Sequence, residues 1–150
     1  MPGAVHLRSD VTRKRLFGAH PTDSLPDHAY TSDVSTQVYA SMAERAEHLL
    51  ASGHSVVLDA TFLKADDRRL ASDLAGRAGV TFRGLWLTGE PRILARRIEH
   101  REGDASDATV AVLEKQLANQ PDDVGWRRID AGGTQEQVAA EARRGLRLPE

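Results

Sequence analysis

Cysteine is absent from these 150 residues, which excludes disulfides and thiolate metal sites. No apolar run approaches the roughly 18 residues of a membrane-spanning helix. Met1-Pro2-Gly3 does not open a signal peptide, so the expectation is a soluble cytoplasmic protein. Net charge is nearly missing too: 20 basic and 22 acidic residues leave −2, with the signs interspersed. That argues against binding nucleic acid or a membrane by bulk charge, while leaving room for a local basic site. Lysine is scarce, only 3 of the 20 basic residues. The skew toward arginine reads either as codon bias or as a use of guanidinium forks that hold phosphate. A phosphate loop of the form G-x-x-x-x-G-K-[ST] occurs nowhere in the sequence.

What is present is ordinary globular composition, 40% hydrophobic and 28% charged, at a length that fits one domain over 1–150. Apolar runs and helical periods alternate along it. Ala4–Leu7 reads as a short strand, and Ser9-Asp10 as the cap of a helix over Val11 to Phe17 that stops at Gly18. After a Pro-containing loop over 20–31, a helix from about Asp33 places Val34, Val38, Met42, Ala46 and Leu49 on one face. The run Ser55-Val56-Val57-Leu58-Asp59 reads as a buried parallel strand ending in a carboxylate. A helix over 66–78, a strand over Thr81–Leu87 and a helix with Thr88 as cap and Pro91 in its first turn follow. Gly103-Asp104-Ala105 breaks the chain before a helix carrying Val110, Leu113 and Leu117. A strand over Trp126–Ile129, a turn over 130–133 and a helix capped by Thr134 complete it. Strands alternating with helices predict an α/β fold, a parallel sheet with helices on both faces in three layers.

Three groups of residues carry possible chemistry. Asp10 and Arg13, three apart on the first turns of a helix, share a face at the carboxyl edge of the sheet. They read either as a proton acceptor with a phosphate-holding fork or as a cap with a surface arginine. Asp59 with Thr61 reads either as a magnesium ligand with a hydrogen-bonding hydroxyl or as a strand end capping its turn. Arg97 and Arg101, four apart and followed by Gly103-Asp104-Ala105-Ser106-Asp107, read either as arginines on a mobile flap or as a solvated helix face. The histidines show no metal-ligand spacing, and Trp86 and Trp126 read as core.

Taken in order, Leu7-Arg8-Ser9-Asp10-Val11-Thr12-Arg13, Val56-Val57-Leu58-Asp59-Ala60-Thr61-Phe62-Leu63, Arg97-Ile98-Glu99-His100-Arg101 with Gly103-Asp104-Ala105-Ser106-Asp107, and Ile129-Asp130-Ala131-Gly132 resemble the P-loop small-molecule and polynucleotide kinases. The texture is most similar to the AAA-type ATP-binding kinase domain fused to aminoglycoside-phosphotransferase-like domains in bacteria. The resemblance spans nearly the whole chain, with 103–120 as the region beside the lid. It implies a P-loop kinase-like fold, ATP and Mg2+ as cofactors, Asp10 as the acceptor-activating acid and Arg13 as a phosphate-holding arginine. It also implies Asp59 as the metal-binding acid with Thr61 beside it, Arg97 and Arg101 as lid arginines, and Ala131, Gly132 and Gly133 as the turn that cradles adenine.

One departure is large. The family opens with a strand, a Gly-rich loop with its lysine, and a helix, and here Met1 falls just before what corresponds to the second strand. The expectation is therefore a truncated kinase domain, weak or inactive as it stands, acting if at all on a hydroxyl of a small molecule or a nucleic-acid end. The alternative is a degenerate binding module that kept the fold. The absent strand belongs between the one ending at Asp59 and the one over Thr81–Leu87. Those two are expected either to pair directly or to flank a groove, and their exposed edges offer a route to self-association.

Overall fold

Four short strands of four residues each alternate with helices along the chain, the order that the sequence pattern predicts. The computed structural model describes residues 3–146. In the first of two compact units, comprising 1–80 and 102–107, strand β1 (Val5–Arg8) runs parallel to β2 (Val56–Asp59). Helices α1 (Ser9–Leu16) and α2 (Ser32–Ala51) make the crossover, and α3 (Ala65–Arg77) follows β2. A single 3-10 turn, Asp27–Tyr30, interrupts the loop before α2.

The core of this unit is where the helical period places it. Val38, Met42 and Ala46 of α2 are at most 2% exposed and pack with Leu7 and Leu74, flanked by Val5, Val56 and Leu58. Thr31 caps α2 by accepting a hydrogen bond from Val34 N–H. The register Val5↔Val56 through Arg8↔Asp59 sets Arg8 opposite Asp59 at the carboxyl end of the pair, one residue before α1 starts. Ser9 and Asp10 are thus the first residues of α1 and not its cap, because the helix springs directly from the strand with Arg8 as the flanking residue.

The second unit, 81–101 and 108–150, pairs β3 (Leu85–Thr88) with β4 (Arg127–Asp130), again in parallel. Helices α4 (Pro91–Glu99) and α5 (Val110–Ala118) lie between them in sequence, and α6 (Gln135–Leu146) follows. Trp86 and Ile129 are buried at its centre. The strand starts later than the expected Thr81–Leu87, at Leu85, and Gly84 just before it lies against the Trp126 indole, where a Cβ would come within 2.4 Å of the ring. Thr88 caps no helix: it closes the β3 ladder opposite Asp130, and its hydroxyl donates to Ile129 O. Thr134 does cap α6, in a reciprocal box with Gln137.

The direct pairing of Val56–Leu58 with Thr81–Leu87 is not formed. The two strands lie in different two-stranded sheets, each beside its own parallel partner. Nor is β2 buried on both faces: Val56 and Leu58 turn into the core, whereas Val57 is 41% exposed. With a single strand neighbour β2 keeps one edge unpaired, and its Val57 side chain projects from the face opposite the core.

Candidate functional site

The carboxyl ends of β1 and β2 gather the charged side chains of the first unit. Asp59 ends β2 with its carboxylate about half exposed, accepting from His6 Nε2 at 2.9 Å and lying 3.6 Å from Arg8 Nε. Two positions into the chain beyond Arg8, Asp10 stands on the first turn of α1. Burial pushes its carboxyl above the usual range, and the negative charge of Asp59 adds to that. A hydrogen bond from the Ser106 hydroxyl and the charges of Arg8 and Arg13 act in the opposite sense. The charge of Asp59 reaches Asp10 because both stand at the carboxyl end of the strand pair.

Arg13 does not reach outward. It is 8% exposed, with Nη1 donating to Ala29 O at 2.7 Å, Nη2 donating to Ser35 Oγ at 3.4 Å and the guanidinium 4.9 Å from the Tyr30 ring centre. Its Nε is buried without a hydrogen-bond partner. The fork expected on phosphate instead fastens the 3-10 turn to α1. Thr61 follows β2 and its hydroxyl bonds with Tyr39. The Tyr39 hydroxyl in turn accepts from Phe62 N–H at 3.0 Å. Phe62 holds φ at +48°, an uncommon left-handed conformation for a bulky residue. The Tyr39 ring, packed T-shaped on the Phe62 ring with centroids 5.4 Å apart, and Arg68, which donates to Phe62 O and Leu63 O, keep it there.

Four side chains that were given no role from the sequence, Lys14, Asp107, Arg8 and Asp104, dominate the neighbourhood. Lys14, one turn beyond Asp10, is 1% exposed and donates to Asp107 Oδ1 at 3.0 Å. Asp107 also accepts from Leu25 N–H at 3.2 Å and from the Tyr30 hydroxyl. Arg8 grips Asp104 with both arms of its fork, at 3.2 and 2.9 Å. The segment expected to be a mobile flap is therefore tied to α1 and β1. For Lys14 the sequence signal was its i,i+4 spacing from Asp10, which places a second charge beside Arg13.

The Asp107 carboxyl has a pH consequence. Burial raises its pKa, but the bonds from Tyr30, Lys14 and Leu25 outweigh this and hold it below the ordinary value. Stability from a depressed carboxyl is complete above its unfolded value and is lost as pH falls through its folded one, here below about pH 4. Urea unfolding at pH 7 and pH 3 is expected to show a larger loss for the parent chain than for Asp107→Asn. Equal losses would mean that another acid dominates. Asp10, shifted the other way, partly offsets the effect.

In the second unit, Arg97 turns its donors onto the chain's own carbonyls. It donates to Ala131 O, to Gly132 O at 3.4 Å and to Gly133 O at 2.5 Å. Gly132 N–H is taken by Asp130 Oδ1 at 2.8 Å. Arg97 thus braces the 131–133 turn, where the lid assignment had it on phosphate. Arg101 Nη2 donates to Ala108 O at 3.3 Å.

A family model described as an AAA domain matches residues 1–121. The chain belongs to the AAA domain family. Two uncharacterized proteins, of Mycobacterium tuberculosis and Mycobacterium bovis, are each 33% identical over 148 residues, 93% of this AAA domain chain. The chain spans 29% of the length of these curated relatives. Among solved structures, a sugar kinase from a Janibacter species superposes with a TM-score of 0.66 at 20% identity, covering 97% of this chain and 81% of that one. A gluconokinase from Sinorhizobium meliloti gives 0.64 at 23%, covering 97% and 78%. The tunicamycin resistance protein of Deinococcus radiodurans gives 0.65 at 14%, covering 99% and 85%. These likenesses show that the AAA domain has the α/β P-loop kinase fold, with parallel strands in both units. Among the described residues, no helix is long and apolar enough to cross a membrane.

Proposed function

We propose that this chain is the acceptor-side part of an ATP-dependent phosphotransferase acting on an alcohol. The observation that carries the reading is Asp10: a half-buried carboxylate at the carboxyl end of a parallel strand pair, its pKa raised by desolvation, already accepting from a hydroxyl. An acid in that position can take the proton of an attacking alcohol, and a pKa lifted toward neutrality makes it a better base. Arg8 and Asp59 frame it. Arg13 and Arg97 serve as positioning residues, one for the turn beside α1 and the other for the turn at 131–133. Arg101 remains the candidate for contact with transferring phosphate.

Mg2+ and ATP follow from the fold family. Asp59 suits the metal: its carboxylate is exposed and offers hard oxygens. Among the described residues no cluster of three acids or histidines competes for a cation. Magnesium takes one or two carboxylates and fills its shell with phosphate and water, so a single acid is enough. When bound it would neutralise charge on the phosphates. The donor phosphates are another matter. Neither a Gly-rich loop nor its lysine occurs in the 150 residues, and the Arg97 donors are engaged by the 131–133 carbonyls.

The same two facts favour, as a second reading, a module that keeps the fold for binding alone. Calorimetry with MgATP separates the readings in two steps. The 150-residue chain is expected to bind more weakly than about 1 mM. Extending it upstream with a strand, a G-x-x-x-x-G-K-[ST] loop and a helix is expected to restore binding and phosphotransfer. Tight magnesium-dependent binding by the chain as given would refute the donor-site argument. An extended chain that binds ATP without transferring phosphate to any alcohol would leave the binding module.

A further inference from the structure

The segment from Asp104 to Asp107 is laid across the β1–α1 corner with each polar side chain matched to an opposite. The Asp104 carboxylate lies in the Arg8 fork, the Ser106 hydroxyl donates to Asp10, and the Asp107 carboxylate holds Lys14. Between these, Ala105 is buried and Ser106 N–H closes the loop onto Asp104 Oδ1 at 2.8 Å. The partners are the acid proposed to activate the acceptor and the arginine next to it. The Ser106 hydroxyl thus occupies, on the proposed base, the place an attacking hydroxyl would take.

We propose that Asp104–Ser106 is an internal stand-in for the acceptor, with Ser106 in the place of its hydroxyl and Asp104 in the place of an anionic group. The acceptor is then a hydroxy compound bearing a carboxylate or phosphate, which seats its hydroxyl on Asp10 and its anion on Arg8 as the segment lifts. This rests on the reading of Asp10 given above.

The two ends of the segment are held unequally, and that decides which part moves. Asp107 is anchored by a lysine that is 1% exposed and by two further donors, Leu25 N–H and the Tyr30 hydroxyl. Asp104 and Arg8 are each 28% exposed, so water can take over their bonds more readily. On the far side of Asp104, Gly103 sits at φ +64°, a conformation that glycine adopts without strain. Asp104–Ser106 is the releasable part and Asp107 the pivot.

An internal occupant lowers apparent affinity by the fraction of time it fills the site, and weakening it should raise affinity by the same factor. The test uses the full 150-residue chain labelled for NMR and three probes: D-gluconate, sn-glycerol 3-phosphate and neutral sorbitol. At least one anionic probe is expected to shift the Ser106 amide and speed its hydrogen exchange about tenfold, with the Leu25 amide, held on Asp107, unchanged. Sorbitol should do neither. Response to gluconate alone assigns a carboxylate acceptor, and response to glycerol 3-phosphate alone a phosphate one. In Asp104→Asn the responding probe should bind several-fold more tightly, whereas a loop with a merely structural role would leave its affinity unchanged. Silence from both anions, an equal response to sorbitol, or unchanged affinity in Asp104→Asn would overturn the proposal. Failure of the underlying reading would appear elsewhere, as Asp10→Asn retaining phosphotransfer in the extended protein.

Discussion

Replacing Lys14 with alanine is expected to cost about 3 kcal/mol of stability. Lys14 is among the largest fully buried side chains of the molecule, and its ammonium is 3.0 Å from Asp107 Oδ1. Removing one partner of a buried pair leaves the other as an uncompensated charge, which costs about 3–5 kcal/mol in such sites. Asp107 keeps the Leu25 amide, the Tyr30 hydroxyl and 17% of its side-chain surface in water, so the lower end of that range applies. Lys14→Met keeps most of the aliphatic stem and isolates the charge, so it should lose somewhat less. The double variant Lys14→Met, Asp107→Asn removes both charges and should recover part of the loss, giving a coupling of about 1–3 kcal/mol. Urea unfolding at neutral pH, followed by circular dichroism, measures all three variants. A loss below about 1 kcal/mol for Lys14→Ala would mean that the Asp104–Asp107 strap and the α1 face are not held by this pair.

The elements that local chemistry dictates were legible in the sequence. The strand ending at Asp59 is there because a β-branched run ends in an acid. The α2 face is there because Val38, Met42 and Ala46 recur at helical spacing, and all three are buried. Helix starts were less legible, since a cap depends on what else its hydroxyl can reach. Thr134 finds Gln137 three residues on, while the Thr88 hydroxyl is already bonded across the β3–β4 ladder. Sheet pairing was least legible. Val57 and Leu87 look like core residues by composition but are 41% and 57% exposed, because they project from the face of their strand opposite to the buried one.

Much of the site lay beyond any local pattern. Asp10, Asp59 and Arg13 could be singled out by position after a strand. Their partners could not, because Arg8 finds Asp104 at 96 residues' separation and Lys14 finds Asp107 at 93. Any of the 22 acids satisfies an arginine equally well on paper. Only the fold selects one, by bringing Asp104 within reach of both arms of the Arg8 fork. The same argument explains why Arg13 and Arg97 read as phosphate ligands. A guanidinium that braces a turn through backbone carbonyls has no sequence signature, since every residue carries a carbonyl.

Asp10→Asn is expected to lower phosphotransfer by about 10²–10⁴-fold in the upstream-extended protein, with MgATP affinity unchanged. The amide has nearly the shape of the acid and can still accept from Ser106, so the fold and the strap are disturbed little. What it cannot do is take a proton, and the attacking alcohol must then lose its own to water. The pH dependence gives a second, independent signature. Burial raises the Asp10 pKa in the folded protein, so the parent activity should fall as pH drops through a value above the ordinary carboxylate range. That acid limb should vanish in Asp10→Asn, leaving a low, flat profile. Asp59→Asn makes the contrast: it should weaken the response to magnesium and leave the acid limb in place, because Asp59 is proposed to serve the metal and not the alcohol. Initial rates against pH for the three proteins, at saturating ATP and fixed magnesium, decide the matter. Full activity in Asp10→Asn would remove Asp10 from the chemistry and leave it as a tether for Ser106.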